Sequence, residues 1–163
     1  MSLKKPGVKS DEQTLADRMD EIHISTTLVA GANRRILARV RDHEMVMDVP
    51  KQRGGDDAGP TPPECLAMAL GGCILNLCRI LAMQKQIHLE DLRVLVEGTI
   101  DPSRAFGIPT ETRAGFLSLS VHVKVASNLT DSDMEEFRRE LIRRCPICDT
   151  IGSVTPLQIT FAK

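Results

Sequence analysis

Aromatic side chains are almost absent from this sequence. Its 163 residues include no Trp and no Tyr, and four Phe make up the whole aromatic content of 2%. The chain therefore lacks the stacking platforms on which proteins commonly hold nucleic acid bases. It also lacks a broad basic surface, because 21 basic residues are balanced by 22 acidic ones. These two absences argue against nucleic acid and anionic lipid as partners and favour a small molecule or another protein.

Long apolar runs and an even number of cysteines are also missing. No stretch approaches the roughly 18 apolar residues that a membrane span needs, and no apolar segment follows the N-terminal lysines as it would in a secretory signal. The five cysteines fit a reducing compartment better than a disulfide framework. We expect a cytoplasmic protein with no membrane contact, whose thiols are reactive, metal-binding or buried.

The pattern of apolar residues predicts one domain of the α+β class over residues 21–163. Residues 1–20 are predicted to be an N-terminal extension that is mobile or contains a short helix after Ser10. Several short segments alternate between apolar and polar side chains, as half-buried strands of antiparallel sheets do. These predicted strands cover residues 22–28, 36–40, 45–49, 92–96, 117–125 and 157–161.

Two helices are predicted among these strands. The segment Cys65–Cys78 carries no charge, which is typical of a buried helix, and it is too short to cross a bilayer. The pair Gly71-Gly72 in its middle weakens a helix, so we expect another backbone to pack closely there. The second helix starts at Thr130 and continues an apolar stripe as far as Cys145, where a proline ends it.

The cysteines suggest several kinds of site. Cys73 and Cys145 each continue the apolar face of a different predicted helix, so both thiols point inward and could meet. Both can instead be small buried packing residues, as free cysteines often are. Cys145-Pro-Ile-Cys148 can be a thioredoxin-like redox pair, although that motif opens a helix and here a helix precedes it. The same three cysteines together with Cys78 can bind zinc, although their spacing suits a single metal poorly.

A run of motifs joins these cysteines to a Gly/Pro-rich loop. The loop leads into Gly59-Pro-Thr-Pro-Pro-Glu64, the helix continues to Leu70-Gly-Gly-Cys73, and Cys145-Pro146 follows far downstream. This combination resembles the OsmC/Ohr superfamily, and its Gly-Gly-Cys signature is more like the less characterised OsmC-like branch. The resemblance implies antiparallel sheets wrapped around central helices in an intertwined homodimer, with active sites at the subunit interface.

The resemblance also implies a chemistry. It suggests an enzyme, a Cys-based peroxidase that reduces organic hydroperoxides under oxidative stress. Cys73 would attack the peroxide oxygen and become a sulfenic acid, and Cys145 would resolve it as a disulfide. An external thiol, often a lipoyl group, would then reset the pair, and neither a metal nor another cofactor is expected. A non-enzymatic dimer that binds an apolar ligand or partner in the same cleft is the alternative.

Two charged residues complete the implied site. A thiol on an apolar helix face needs a cation to become a thiolate, and Arg53 occupies a position from which OsmC-type members supply it. Arg34 and Arg35 in the first hairpin are the alternatives. Glu64 stands one residue after the position of the family's catalytic glutamate, which here is Pro63, and it can also act as a favourable first-turn charge.

Overall fold

The computed structural model describes residues 21–162, so the helix predicted after Ser10 lies outside the described residues. The chain forms two compact units, one that ends at Gly59 and one that begins at Pro60. Antiparallel strands occur in both units, and the second unit adds three helices. The predicted α+β class is therefore confirmed, while a single domain over residues 21–163 stays a prediction.

The first unit contains a three-stranded antiparallel meander. Its strands lie side by side in the order β1 (Thr27–Ala30), β2 (Ile36–Val40) and β3 (His43–Met47). The predicted first strand began too early, because Ile22 and Ile24 lie outside β1 and are 84% and 76% exposed. Thr27 pairs with Arg39, and β2 ends one residue later at Val40, so the residues before Thr26 lie beyond the end of β2.

Asp48 closes the third strand and organises the loop that follows it. Its side chain is buried, and its carboxylate accepts hydrogen bonds from the backbone N–H groups of Val49 (2.7 Å), Asp56 (3.0 Å) and Ala58 (3.0 Å). These bonds, chiefly the one from Ala58, hold the pKa of Asp48 below its usual value. The strand stops at Met47, before its predicted end, because the backbone turns here to surround the carboxylate.

Helix α1 (Pro62–Lys85) opens the second unit and supplies its core. Its buried residues recur at helical spacing and are Leu70, Ile74, Cys78, Leu81 and Ala82. The helix extends past the uncharged segment Cys65–Cys78, and Arg79 lies on its exposed side. By length and composition α1 could cross a membrane, so the prediction that it is too short was wrong. Core helices of soluble proteins pass the same test, and one side of α1 is covered within its own unit.

Strands β4 (Leu89–Ile100) and β5 (Phe116–Ser127) form the antiparallel hairpin that packs on α1. Both correspond to predicted strands and are longer than predicted. A side chain at Gly71 would place its Cβ 3.0 Å from Cγ2 of Val96, so the close neighbour is a side chain and not the predicted backbone. A Cβ at Gly72 would have no neighbour within 4 Å beyond its own stretch of helix.

Two further helices follow the hairpin, α2 (Asp131–Arg144) and α3 (Pro146–Gly152). Helix α2 starts where the sequence predicts, because the Thr130 hydroxyl accepts a hydrogen bond from the Asp133 backbone N–H (3.2 Å) and donates to its carboxylate (2.6 Å). Phe137 and Leu141 carry its buried stripe to Cys145. Helix α3 was not predicted.

The predicted last strand is wrong. Residues 154–162 contain no strand, and Leu157, Ile159 and Phe161 are 84%, 71% and 98% exposed. An alternating apolar segment becomes a strand only where a neighbouring strand takes its hydrogen bonds and a surface covers its apolar face. The described part of this chain supplies no paired strand for these residues.

Candidate active site

Cys145 lies at the bend between α2 and α3. Pro146 has no backbone N–H and a fixed φ, so it cannot extend α2 but can begin a new helix. The backbone of Cys145 leaves the helical region at this point, with φ −84° and ψ 110°. Its side chain is 1% exposed and is packed in the core of the second unit.

Cys73 meets this bend from the middle of α1. Its Sγ is 3.4 Å from the Sγ of Cys145. That distance allows a hydrogen bond between two thiols and is longer than the roughly 2.05 Å of a disulfide bond. Both residues are free cysteines in the structure. Two residues that are 72 positions apart in the sequence thus meet, which the sequence left open.

Cys148 adds a third thiol to this pair. It lies in the first turn of α3, and its backbone N–H donates a hydrogen bond to the Cys145 Sγ at 3.3 Å. We refer to Cys73, Cys145 and Cys148 as the three-thiol cluster. A helix precedes Cys145-Pro-Ile-Cys148 as the sequence predicted, but the motif also opens α3, so the preceding helix does not argue against a redox pair. The proline after Cys145 is the signal for this start, since proline favours the first position of a helix.

The three thiols differ in their affinity for a proton. Burial, followed by a hydrogen bond to Cys145, raises the pKa of Cys73, and the same two causes raise the pKa of Cys148 to about 12. Burial opposes charge on Cys145 too, but hydrogen bonds from the Cys148 backbone N–H and from both neighbouring thiols lower its pKa. Cys145 is therefore the first of the three to become a thiolate.

Solvent exposure and a low pKa belong to different sulfurs of the cluster. Cys145 is buried, whereas Cys73 and Cys148 are partly exposed in the described chain. A molecule from solvent reaches Cys73 more easily, although Cys145 has the lower pKa. The arrangement thus places a buried base next to an accessible thiol.

Glu64 lies in the first turn of the same helix as Cys73 but away from it. Its carboxylate accepts hydrogen bonds from the backbone N–H (2.7 Å) and the hydroxyl (2.8 Å) of Thr61, which precedes the helix. Nine residues of a straight helix separate Glu64 from Cys73 by about 13 Å along the axis and about half a turn around it. The contacts of Glu64 thus match the helix-start alternative, and its part in the chemistry stays a prediction.

The three candidate arginines belong to the first unit. Arg53 is exposed on the short 3-10 turn Lys51–Arg53, inside the loop that Asp48 organises. Arg35 pairs with Asp56 of the same loop at 3.1 Å, and Arg34 approaches Gly54. Which of these arginines serves the thiols stays a prediction.

An apolar cavity of about 290 Å³ lies inside the second unit, between α1, α2 and the hairpin. Cys78 lines this cavity, but no residue of the three-thiol cluster does. Ile74, the residue after Cys73, and Leu141, one helical turn before Cys145, also line it. Over residues 21–162, no group of three or more His, Cys, Asp or Glu side chains is arranged to hold a metal ion.

The family model for OsmC-like protein matches residues 54–160, which is more than half of the chain. The chain belongs to the OsmC-like protein family. This membership covers all of the second unit's helices and both cysteines of the predicted pair. In this family the fold is a soluble one, which makes α1 the core helix of this OsmC-like chain and not a membrane span. A comparison with curated proteins finds no match.

Solved structures of similar fold agree with the family. An OsmC-like protein from Mycoplasma pneumoniae has a TM-score of 0.71 and 23% identity, with 83% of this chain and 91% of that one covered. An organic hydroperoxide resistance protein OsmC from Legionella pneumophila has a TM-score of 0.59 and 19% identity, covering 82% and 91%. An OsmC-like protein of unknown function from Vibrio cholerae has a TM-score of 0.65 and 11% identity, covering 80% and 94%. At these identities the likeness shows the OsmC/Ohr fold.

Proposed function

We propose that this OsmC-like chain is a thiol-dependent peroxidase that reduces organic hydroperoxides. The observation that carries the proposal is the 3.4 Å approach of the Cys73 and Cys145 sulfurs, because such a pair needs little movement to become a disulfide. Family membership and the description of several similar structures as organic hydroperoxide resistance proteins support the choice of substrate.

The first step uses the accessible thiol and the buried thiolate together. The Cys145 thiolate takes the proton of Cys73, and the Cys73 sulfur attacks the terminal oxygen of the hydroperoxide. The O–O bond breaks, Cys73 becomes a sulfenic acid, and the alkoxide takes the proton back from Cys145 to leave as an alcohol. Cys73 is oxidised by two electrons and the hydroperoxide is reduced by two.

The second step forms the disulfide. The Cys145 thiolate attacks the sulfur of the Cys73 sulfenic acid, the S–O bond breaks, the departing hydroxide takes a proton from solvent to become water, and an S–S bond joins the two residues. An external dithiol of the lipoyl type then reduces this bond by exchange and becomes a cyclic disulfide itself. The cycle needs neither metal nor cofactor.

The remaining residues and the setting follow from the resemblance. Arg53, or else Arg34 or Arg35, would supply the cation that eases proton loss from Cys73, and Glu64 would set the start of α1. The exposed apolar residues at both ends of the described chain, Ile22, Ile24, Leu157, Ile159 and Phe161, support a homodimer in which a second copy covers them. Five free cysteines suit the cytoplasm.

Peroxide consumption by single variants tests the proposal. With dithiothreitol or dihydrolipoamide as reductant, the protein should consume cumene hydroperoxide, and Cys73→Ser should reduce that rate by about 100-fold or more. Cys65→Ser is the matched control, because Cys65 is a free cysteine outside the three-thiol cluster, and it should leave the rate unchanged. Equal rates for the protein and its Cys73→Ser variant would remove the proposal.

A second candidate function is supported by the apolar cavity of about 290 Å³. A non-enzymatic protein could hold an apolar ligand there, next to the cluster and without its chemistry. In that case Cys73 and Cys145 would keep their thiols in the presence of hydroperoxide, and a fluorescent fatty acid would bind. Substitution of Leu141→Phe, which fills the cavity, would abolish that binding.

A further inference from the structure

Cys148 has no part in the two-cysteine cycle, although it touches the sulfur on which the cycle depends. We propose that Cys148 is a second resolving cysteine, which takes the disulfide over from Cys73 and leaves the oxidised protein with a Cys145–Cys148 bond. This inference rests on the proposed function, and it names the disulfide that the external dithiol reduces.

The geometry makes Cys145 the shared partner of both other thiols. Its Sγ is 3.4 Å from the Cys73 Sγ and 3.3 Å from the backbone N of Cys148. Cys145 and Cys148 are three residues apart across the first turn of α3. In helical geometry this spacing puts the two Cα atoms about 5 Å apart, inside the roughly 4.4–6.8 Å range of disulfides. The Cys145 sulfur can therefore bond to either neighbour without a change of fold.

The exchange itself balances without an outside oxidant. The Cys148 thiolate attacks the Cys145 sulfur of the Cys73–Cys145 disulfide, the new S–S bond forms, and Cys73 leaves as a thiolate. The proton lost by Cys148 passes through solvent to Cys73. One S–S bond replaces another, and the two electrons removed by the hydroperoxide remain missing from the cluster until the dithiol returns them.

Charge allows the exchange only after oxidation. In the reduced cluster, burial and the neighbouring Cys145 keep the proton on Cys148. Because a thiol is a much weaker nucleophile than a thiolate, Cys148 does not attack the peroxide itself. Once Cys145 is part of a disulfide it carries no charge, and that part of the barrier to ionising Cys148 disappears. The order of events, Cys73 first and Cys148 last, follows from this change.

The exchange would move the disulfide to a sulfur that the reductant can reach. Cys145 is buried, so an external dithiol cannot reach it in a Cys73–Cys145 bond and must attack Cys73 at the peroxide site. Cys148 is partly exposed at the start of α3, so a Cys145–Cys148 bond offers the reductant a second sulfur. Peroxide and reductant would then use different thiols.

Disulfide mapping decides the question. The protein is treated with one equivalent of cumene hydroperoxide, its free thiols are alkylated at low pH, and its peptides are mapped by mass spectrometry. We expect a Cys145–Cys148 bond with alkylated Cys73 in the unaltered chain, and a Cys73–Cys145 bond in Cys148→Ser. A Cys73–Cys145 bond with alkylated Cys148 in the unaltered chain would overturn the inference.

A parallel oxidation separates this inference from the peroxidase proposal. A glutathione redox buffer replaces the hydroperoxide, so the exchange is measured without peroxide chemistry. A Cys145–Cys148 bond in the buffer, with all thiols intact after hydroperoxide, would support the exchange and remove the peroxidase. A Cys73–Cys145 bond under both oxidants would support the peroxidase and remove the exchange.

The choice of substitution separates exchange from hydrogen bonding. Cys148→Ser keeps a side-chain donor near Cys145, whereas Cys148→Ala removes that donor and leaves only the backbone N–H of residue 148. If Cys148 only donates a hydrogen bond, Cys148→Ser should restore the turnover that Cys148→Ala loses, and that result would overturn the inference. If Cys148 exchanges, both variants should slow steady-state turnover at limiting dihydrolipoamide by about fivefold or more, while Cys65→Ser should not.

Discussion

Cys145 loses its proton more readily than Cys73 because of what surrounds the two thiols. Burial raises the pKa of both residues, and the hydrogen bond between them raises the one and lowers the other. The two thiols therefore behave as one acid whose first proton leaves from the buried side. The pKa of Cys73 therefore depends on the state of Cys145.

Removing the Cys145 thiol should make Cys73 easier to ionise. In Cys145→Ala the burial of Cys73 remains, but the neighbouring sulfur that holds its proton is gone, so the pKa of Cys73 should fall. The rate of alkylation by iodoacetamide, measured from pH 6 to 10, should then rise at lower pH than in the unaltered chain. An unchanged or higher midpoint would contradict the assigned direction.

The inward direction of Cys73 and Cys145 could be predicted from the sequence, because each continues an apolar stripe that has to face the core, but their contact could not. The place of Cys148 could not be predicted in the same way. Its role depends on whether the chain after Pro146 turns into a new helix, and seven residues are too few to show a helical period of their own. A short helix forms here because Cys145 and Pro146 begin it and α1 packs beside it.

The two adjacent glycines of α1 illustrate how an element responds to its neighbours. Gly71→Ala would bring a Cβ to 3.0 Å from the stiff, β-branched side chain of Val96. Gly72→Ala would meet open space and should gain helix propensity of about 1 kcal/mol. Thermal unfolding should therefore show a lower midpoint for Gly71→Ala and a higher one for Gly72→Ala. A destabilising Gly72→Ala would mean that a surface outside the chain covers Gly72.

The loop after β3 should respond to acid because it is built around one carboxylate. The pKa of Asp48 is lowered in the folded chain, so its contribution to stability is complete above the unfolded value of about 3.9 and is lost as the pH falls through the folded value. Hydrogen exchange at Asp56 and Ala58, corrected for intrinsic rates, should lose its protection in that range. Asp48→Asn should lose protection at pH 7 as well, and a protected variant would contradict the role given to the charge.

Elements differ in how far their own residues determine them. Helix α2 begins at its predicted residue because its cap, Thr130 with Asp133, is local. Strands β4 and β5 were predicted from alternating apolar residues, and in the structure each has the other as its partner. The segment around Leu157 alternates equally well but has no strand partner in the described chain, and alternation alone could not reveal this.

At the scale of the whole molecule, the exposed apolar residues near both ends of the described chain allow the proposed homodimer to be tested. We expect two chains per particle by light scattering, since alternating apolar residues near Phe161 need a surface to cover them. Replacing Leu157, Ile159 and Phe161 together by Ser should shift the mass to one chain, while the Cys65→Ser control should not. A single chain per particle in the unaltered protein would contradict the expected homodimer.

The position of Cys145 between two partners also gives each oxidised form its own chain topology. A bond to Cys73 closes a loop that spans 72 residues, which in the chain-entropy description disfavours the unfolded state by about 4 kcal/mol. A bond to Cys148 closes a loop of only three residues and restricts the unfolded chain far less. The passage of the disulfide from one partner to the other would therefore appear as a fall in resistance to unfolding, so that the melting behaviour of the oxidised protein records which sulfur Cys145 holds.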